Sequence, residues 1–296
     1  MKKYLKVLMS CVWFGIWCAA FMITRADAEE ILNVMVSILP QKYFVEQIGG
    51  EHVAVSVMVP AGADPHTYEP KPQQLVHLSR SRIYFAIGIP FESAWLGRFL
   101  SVNTDMHVVY TDRGIEKVPA RDYHHANEHE VNPEALDPHI WLSPPLVMLQ
   151  VRTIYSELLK ADQIHANTYS ERYKALTGQI AHLDSELKKQ FHNLGDRNKF
   201  IVFHPAWGYF AQAYNLEQIP IEIEGKEPKP GDIMHIISYA REHNINVIFA
   251  QPQFSAKSAQ TIADAINGEV IYADPLAENW IQNIKNIADA FKTALR

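Results

Sequence analysis

An α/β fold is predicted for this chain of 296 residues, built as two lobes, each a mostly parallel sheet flanked by helices, joined by one long rigid helix. Three observations predict it. Short apolar runs rich in Val, Ile and Phe alternate with helix-length amphipathic stretches; this alternation occurs twice, once early and once late in the chain; and the interval between holds one long pattern of 3.6-residue period.

In the first set, ILNVMVSILP (31–40), HVAVSVMVP (52–60), RIYFAIG (82–88) and HVVY (107–110) read as short buried strands, with helices at 41–48, 73–80 and 92–100. In the second, KFIVFH (199–204), QIPIEI (218–223), NVIFA (246–250) and EVIYA (269–273) are the strands, with helices near 207–214, 232–243, 255–267 and 279–295. Between the sets, Pro144-Pro145 opens a helix at its first turn, where a missing N–H breaks no helical bond. From His165 to His192, Tyr169, Tyr173, Leu176, Ile180, Leu183, Leu187 and Phe191 recur at steps of three and four, while Glu171, Lys174, Asp184, Lys188 and Lys189 fall elsewhere. That is one amphipathic helix on the order of 40 Å long. A helix of this length bends little and limits how far two lobes attached to it can close. The expected division is a signal segment over 1–28, a first lobe over 29–164, the linking helix over 165–192 and a second lobe over 193–296.

Lys2, Lys3 and Lys6 precede an almost uncharged run from Val7 to Thr24, followed by Ala26-Asp27-Ala28. A basic stretch, an apolar stretch and a small-residue cleavage site make a secretory signal and place the mature protein in the periplasm; retention of the segment as an anchor is the alternative. Both cysteines, Cys11 and Cys18, lie inside it. The mature chain would carry no thiol, which excludes disulfides, cysteine nucleophiles and thiolate metal sites. Losing Lys2, Lys3, Lys6, Arg25 and Asp27 moves the formal net charge from −6 to −9. So acidic a surface argues against nucleic acid and for a cation as partner.

The chemistry-bearing residues gather where an α/β sheet forms its sites, beyond the carboxyl ends of strands. His66 lies a few residues past the second strand, His204 ends KFIVFH and Asp274 follows EVIYA directly. His139 joins them through a repeat: Asp64-Pro65-His66 returns as Asp137-Pro138-His139. Proline fixes its own φ and holds the preceding Asp extended, so each histidine is presented from a stiff loop. Three imidazoles and one carboxylate can fill a tetrahedral metal shell.

The stretches PAGADPHTYEPKPQQL, DPHIWLSP, FHPAWGYFAQAYNL and ADPLAEN, in this order behind a signal segment, resemble the metal-binding cluster of ABC-transporter solute-binding proteins for zinc and manganese. The resemblance covers essentially the whole mature chain. It implies two α/β lobes joined by a long helix with the ion buried between them, His66 and His139 as ligands from the first lobe, and His204 and Asp274 from the second. It also implies an ABC permease as partner, capture and delivery without chemistry, and a cleft-edge loop at IEGKEPKPGD (223–232) without ligand duty. A monomer is expected.

Imidazole suits zinc, copper, iron and nickel, whereas manganese prefers harder oxygen donors. Members of the family regarded as manganese-specific often carry glutamate at the third histidine, and this chain keeps His204. Zinc is the expected cargo, with manganese or iron(II) as the alternative. The competing class is a zinc-dependent hydrolase, but H-E-x-x-H is absent and Asp274 would close the position that a catalytic water needs. RDYHHANEHEVNPEAL (121–136) carries His124, His125, His129, Glu128, Glu130 and Glu134, and is either a weak second metal site or a solvated loop. Trp141, Trp207 and Tyr209 are expected to wall the site against water.

Overall fold

The computed structural model describes residues 31–119, 136–222 and 226–295, so the segment read as a signal lies outside the described residues. The first lobe contains β1 (Leu32–Val36), α1 (Leu39–Gly49), β2 (Val53–Val57), α2 (Pro72–Leu78), β3 (Ile83–Ala86), α3 (Pro90–Val102) and β4 (His107–Tyr110). Helices α4 (Pro144–Ala161) and α5 (Ala166–Gln190) follow. The second lobe contains β5 (Lys199–Val202), α6 (Gly208–Ala213), β6 (Glu217–Pro220), α7 (Pro230–Glu242), β7 (Val247–Ala250), α8 (Lys257–Ala265), β8 (Glu269–Tyr272) and α9 (Trp280–Ala294).

Both sheets are entirely parallel and share one winding, β2-β1-β3-β4 and β6-β5-β7-β8. In each, the chain leaves its first strand to one side and then crosses to the other, opening a crevice at the carboxyl ends of β1 and β3 and of β5 and β7. The inner strands β3 and β7 are buried along their whole length, as parallel strands covered on both faces must be, whereas the edge strands β4 and β8 expose Tyr110 and Tyr272.

Local chemistry sets the element ends. Prolines stand in the first turn of α1, α2, α3, α4 and α7, where fixed φ favours the helix and the missing N–H is not needed. Pro40 accounts for one difference from the sequence reading: the apolar run 31–40 is not one strand, because β1 stops at Val36 and Pro40 already lies in α1. Asn215, Asn244 and Asn267, just past α6, α7 and α8, take positive φ of 54–56°, the left-handed conformation that ends helices and that asparagine tolerates.

Side chains alternate across the second sheet with period two. Phe200, Val202 and Phe249 enter a core continuous with that of the first lobe, while Ile201, Phe203 and Ile248 face a second cluster under α7 and α8. Helix α5 contributes Tyr169, Leu176, Ile180, Leu183 and Leu187 to the shared core, the stripe that its periodicity marked. Near its start Arg172 donates to the carbonyls of Gln47 and Glu46 at the end of α1 (3.0 and 3.2 Å). At its far end Gln190 donates to Ala288 of α9 at 2.9 Å. The long helix is thus bonded to both lobes.

A carboxylate occupies the crevice of the first sheet. Glu92, 2% exposed, accepts from Ser37 Oγ (2.5 Å), Ile87 N (2.8 Å) and Gly88 N (2.7 Å), and burial pushes it up to about 7 from its ordinary 4.5. The native state therefore holds its proton more tightly than the unfolded chain. This contribution to stability is complete below pH 4.5 and is lost as pH rises through about 7. In Glu92→Gln an amide NH₂ must face one of the two backbone donors, so a loss of about 1–3 kcal/mol is expected, with a flatter stability profile between pH 4.5 and 7, as read by urea denaturation across that range.

Candidate metal centre

Loops at the carboxyl ends of strands deliver the site. His66 comes from the loop after β2, His139 from the segment before α4, and His204 from the end of β5 at the crevice of the second sheet. Their ligand atoms lie within 4.8 Å of one another. They line a cavity of about 10 Å³ shared with Trp141, Gln253, Phe254 and Leu276. That is the space of one water-sized sphere. A single ion matches it in size.

The two Asp-Pro-His motifs work through their carboxylates as well as their prolines. Asp64 Oδ1 accepts the N–H of His66 and Asp137 Oδ1 that of His139, both at 2.9 Å, so each turn is closed by a side chain bonding two residues ahead. Asp274-Pro275-Leu276 closes the same way, Oδ1 accepting from Leu276 N at 2.9 Å. In the first two turns the residue after proline is an imidazole at the cavity; in the third it is Leu276.

Carboxylates also orient two of the rings. His139 Nδ1 meets Asp137 Oδ1 at 2.7 Å and His204 Nδ1 meets Glu222 Oε2 at 2.6 Å. An ionised carboxylate only accepts, so each Nδ1 carries the hydrogen, and the neutral ring turns its Nε2 lone pair into the cavity, as a metal-ligating histidine does. The two Nε2 atoms stand 3.2 Å apart, close to the ~3.3 Å between nitrogens of a tetrahedral ion with bonds of 2.0–2.1 Å. His66 Nε2 is buried with no partner among the described residues. The rings lie at 59–75° to one another. Burial, then the neighbouring His204, pushes the His66 imidazole below its ordinary value, which keeps it in the neutral form that a cation requires.

Asp274 does not join this group. Its Oδ1 accepts from Gln253 Nε2 at 2.7 Å as well as from Leu276 N, and its carbonyl accepts from Asn283 Nδ2 at 2.7 Å. It reaches the cavity through Gln253, and Oδ2 is its oxygen without these bonds. Of the expected wall, Trp141 lines the cavity and donates Nε1 to Pro275 O at 2.8 Å. Trp207 does not line it and packs on Phe210 and Phe291. Tyr209, pushed up to about 12 by burial, remains a donor: its hydroxyl bonds Asp137 O at 2.9 Å and accepts from Val118 N at 3.0 Å. The acidic histidine-rich stretch lies outside the described residues up to 135; its stems meet in an antiparallel bridge, Pro119 to Leu136.

Glu222, Gln251, Gln253 and Phe254 belong to the site and escaped the sequence reading. Glu222 orients His204, and Phe254 stacks on that ring at 4.7 Å. Gln251 brackets the His204 backbone, accepting its N–H at 3.0 Å and donating to its carbonyl at 2.9 Å. A signal existed for three of them, since QPQF directly follows β7, whose carboxyl end borders that of β5.

Gly208 is the point where the second lobe makes room for Asp137: a Cβ there would lie 2.9 Å from Asp137 Oδ2. Gly208→Ala must displace the carboxylate that orients His139. The expected outcome is a fall in metal affinity of about 10–100-fold, the usual cost of losing such a partner, with a much smaller change in the melting temperature of the metal-free protein, since the added Cβ crowds only the tip of one side chain. Calorimetric metal titration and thermal melts read the two effects separately.

Comparison with known proteins agrees with this geometry. The family model described as "ZnuA: Zinc-uptake complex component A periplasmic" matches residues 34–294. A crystal structure of ZnuA shares 42% sequence identity and superposes with a TM-score of 0.83, covering 90% of this chain and all of the other. The high-affinity zinc uptake system protein ZnuA of Bacillus subtilis (strain 168) is 28% identical over 245 residues, 80% of this chain and 76% of its own. The manganese-binding lipoprotein MntA of Halalkalibacterium halodurans is 26% identical over 302 residues, 98% of this chain and 97% of its own. Two parallel sheets, a cavity for one ion and a family match spanning nearly the whole described chain lead to one assignment: the chain belongs to the ZnuA family, as a divalent-metal-binding receptor of ABC transport and not an enzyme.

Proposed function

We propose that this receptor captures zinc in the periplasm, after export directed by residues 1–28, and hands it to an ABC permease. His66, His139 and His204 supply nitrogen donors and Asp274 turns Oδ2 inward as the fourth ligand when the lobes settle around the ion. The observation that carries the reading is the set of three buried imidazole nitrogens, two of them 3.2 Å apart with carboxylates behind them and the third without a partner among the described residues. Such a set is matched to a borderline-soft cation. The lobes act as two halves divided by the helix over 165–192, and the receptor works as a monomer. Metal analysis of protein taken from its own periplasm, paired with competition between zinc and manganese, tests the cargo.

Zinc is expected to bind with one ion per chain in the cavity. His66→Ala should weaken it by more than the ~10–100-fold that loss of an outer partner costs. Because His66 is held below the ordinary imidazole range, it stays neutral into mildly acidic solution, and affinity falls once pH drops far enough to protonate the ligands. Calorimetric titration from pH 8 to pH 5 reads this slope, and equal affinity across the range would remove the three-imidazole shell.

Manganese is the second reading, favoured by the likeness to a manganese-binding lipoprotein along almost the entire chain. His204→Glu replaces a nitrogen by the harder donor that manganese prefers. Zinc affinity should fall relative to manganese in competition dialysis; an unaltered preference would place selectivity outside this ligand.

A further inference from the structure

Gln253 follows β7 in the sequence Gln251-Pro252-Gln253, lines the cavity of the three imidazoles and donates Nε2 to Asp274 Oδ1 at 2.7 Å. An ionised carboxylate cannot donate, so this amide cannot be turned round: the nitrogen belongs to Asp274 and the oxygen is the free end. That oxygen is buried and meets no donor among the described residues, a condition that is unfavourable unless something relieves it. Gln253 thus shares one small cavity with His66, His139 and His204, and its unpartnered oxygen, like the unpartnered Nε2 of His66, is an acceptor that a cation at the three imidazoles could engage.

We infer that Gln253 Oε1 is an oxygen donor to the captured cation and that, with Asp274, it forms the oxygen face of the shell. The inference rests on the three-imidazole reading proposed above. A carbonyl oxygen suits manganese better than imidazole does, so Gln253 governs how strongly the site separates zinc from manganese. The carboxylate of Asp274 contributes twice, through Oδ2 and by holding the glutamine oxygen forward.

The test uses Gln253→Leu and Gln253→Met, the latter keeping the side chain's length without the amide, each made in the parent and in Asp274→Ala. Manganese affinity is expected to fall about 10–100-fold, the range typical of groups that shape a metal site, and zinc affinity by less, so the ratio of the two rises. With cobalt(II) as probe, the visible bands should strengthen as the coordination number drops, and they should do so in the Asp274→Ala background too, which a glutamine acting only through Asp274 would not cause. An unchanged ratio of zinc to manganese affinity, or a cobalt spectrum indifferent to Gln253 once Asp274 is alanine, overturns the inference while His66→Ala still abolishes tight zinc binding. If His66→Ala leaves zinc bound as tightly as before, the three-imidazole reading and the inference fall together.

Discussion

The 3.2 Å between His139 Nε2 and His204 Nε2 sets two acceptor atoms against each other, an arrangement matched to a positive charge between them. The protein maintains it by engaging the far side of each ring. Asp137 and Glu222 take the Nδ1 hydrogens at 2.7 and 2.6 Å, so neither imidazole can relieve the contact by rotating its hydrogen inward.

Asp137 is the residue through which most of this passes. Its Oδ1 receives both the amide and the ring of His139, its backbone N–H donates to Val118, and its carbonyl receives the hydroxyl of Tyr209 from the second lobe. Gly208 stands against its other oxygen. His139 of the first lobe is therefore oriented partly by groups of the second. Trp141 extends the pattern, donating Nε1 to Pro275 and accepting from Trp280 Nε1 at its carbonyl, while Lys42 pairs with Glu278 across the same junction.

These ties, and a hydrophobic core that runs without interruption from one sheet to the other, argue for small movements on loading. A helix of about 38 Å, bonded at its start to α1 and at its end to α9, resists bending at the place where a hinge would have to be. Adjustment then falls to side chains at the cavity, where Asp274 and Gln253 share one hydrogen bond and can move together.

Much of this was legible along the chain. Strand and helix periods follow from backbone geometry, which each residue obeys without knowledge of distant neighbours, so the two α/β sets, the long amphipathic stripe ending at Phe191 and the proline-led helices could be read directly. A misread boundary, at Pro40, arose because an apolar run does not say whether its last residues extend a strand or begin a helix, and the strands read over 52–60 and 199–204 likewise end earlier, at Val57 and Val202. The three histidines were legible because Asp-Pro turns and strand ends are local signals, and those turns closed as bonds between residues two apart. The carboxylate facing His204 was not: Glu222 reaches it because β6 lies beside β5 in the sheet, and strand order is no property of either segment alone. The same holds for Asp274, whose sequence resembles a ligand's while its Oδ1 is engaged by Gln253 and Leu276. Residue types and spacing determined which groups could bind a cation; the packing of parallel strands from distant parts of the chain decided which atoms face it, because a hydrogen bond is settled by separation in space.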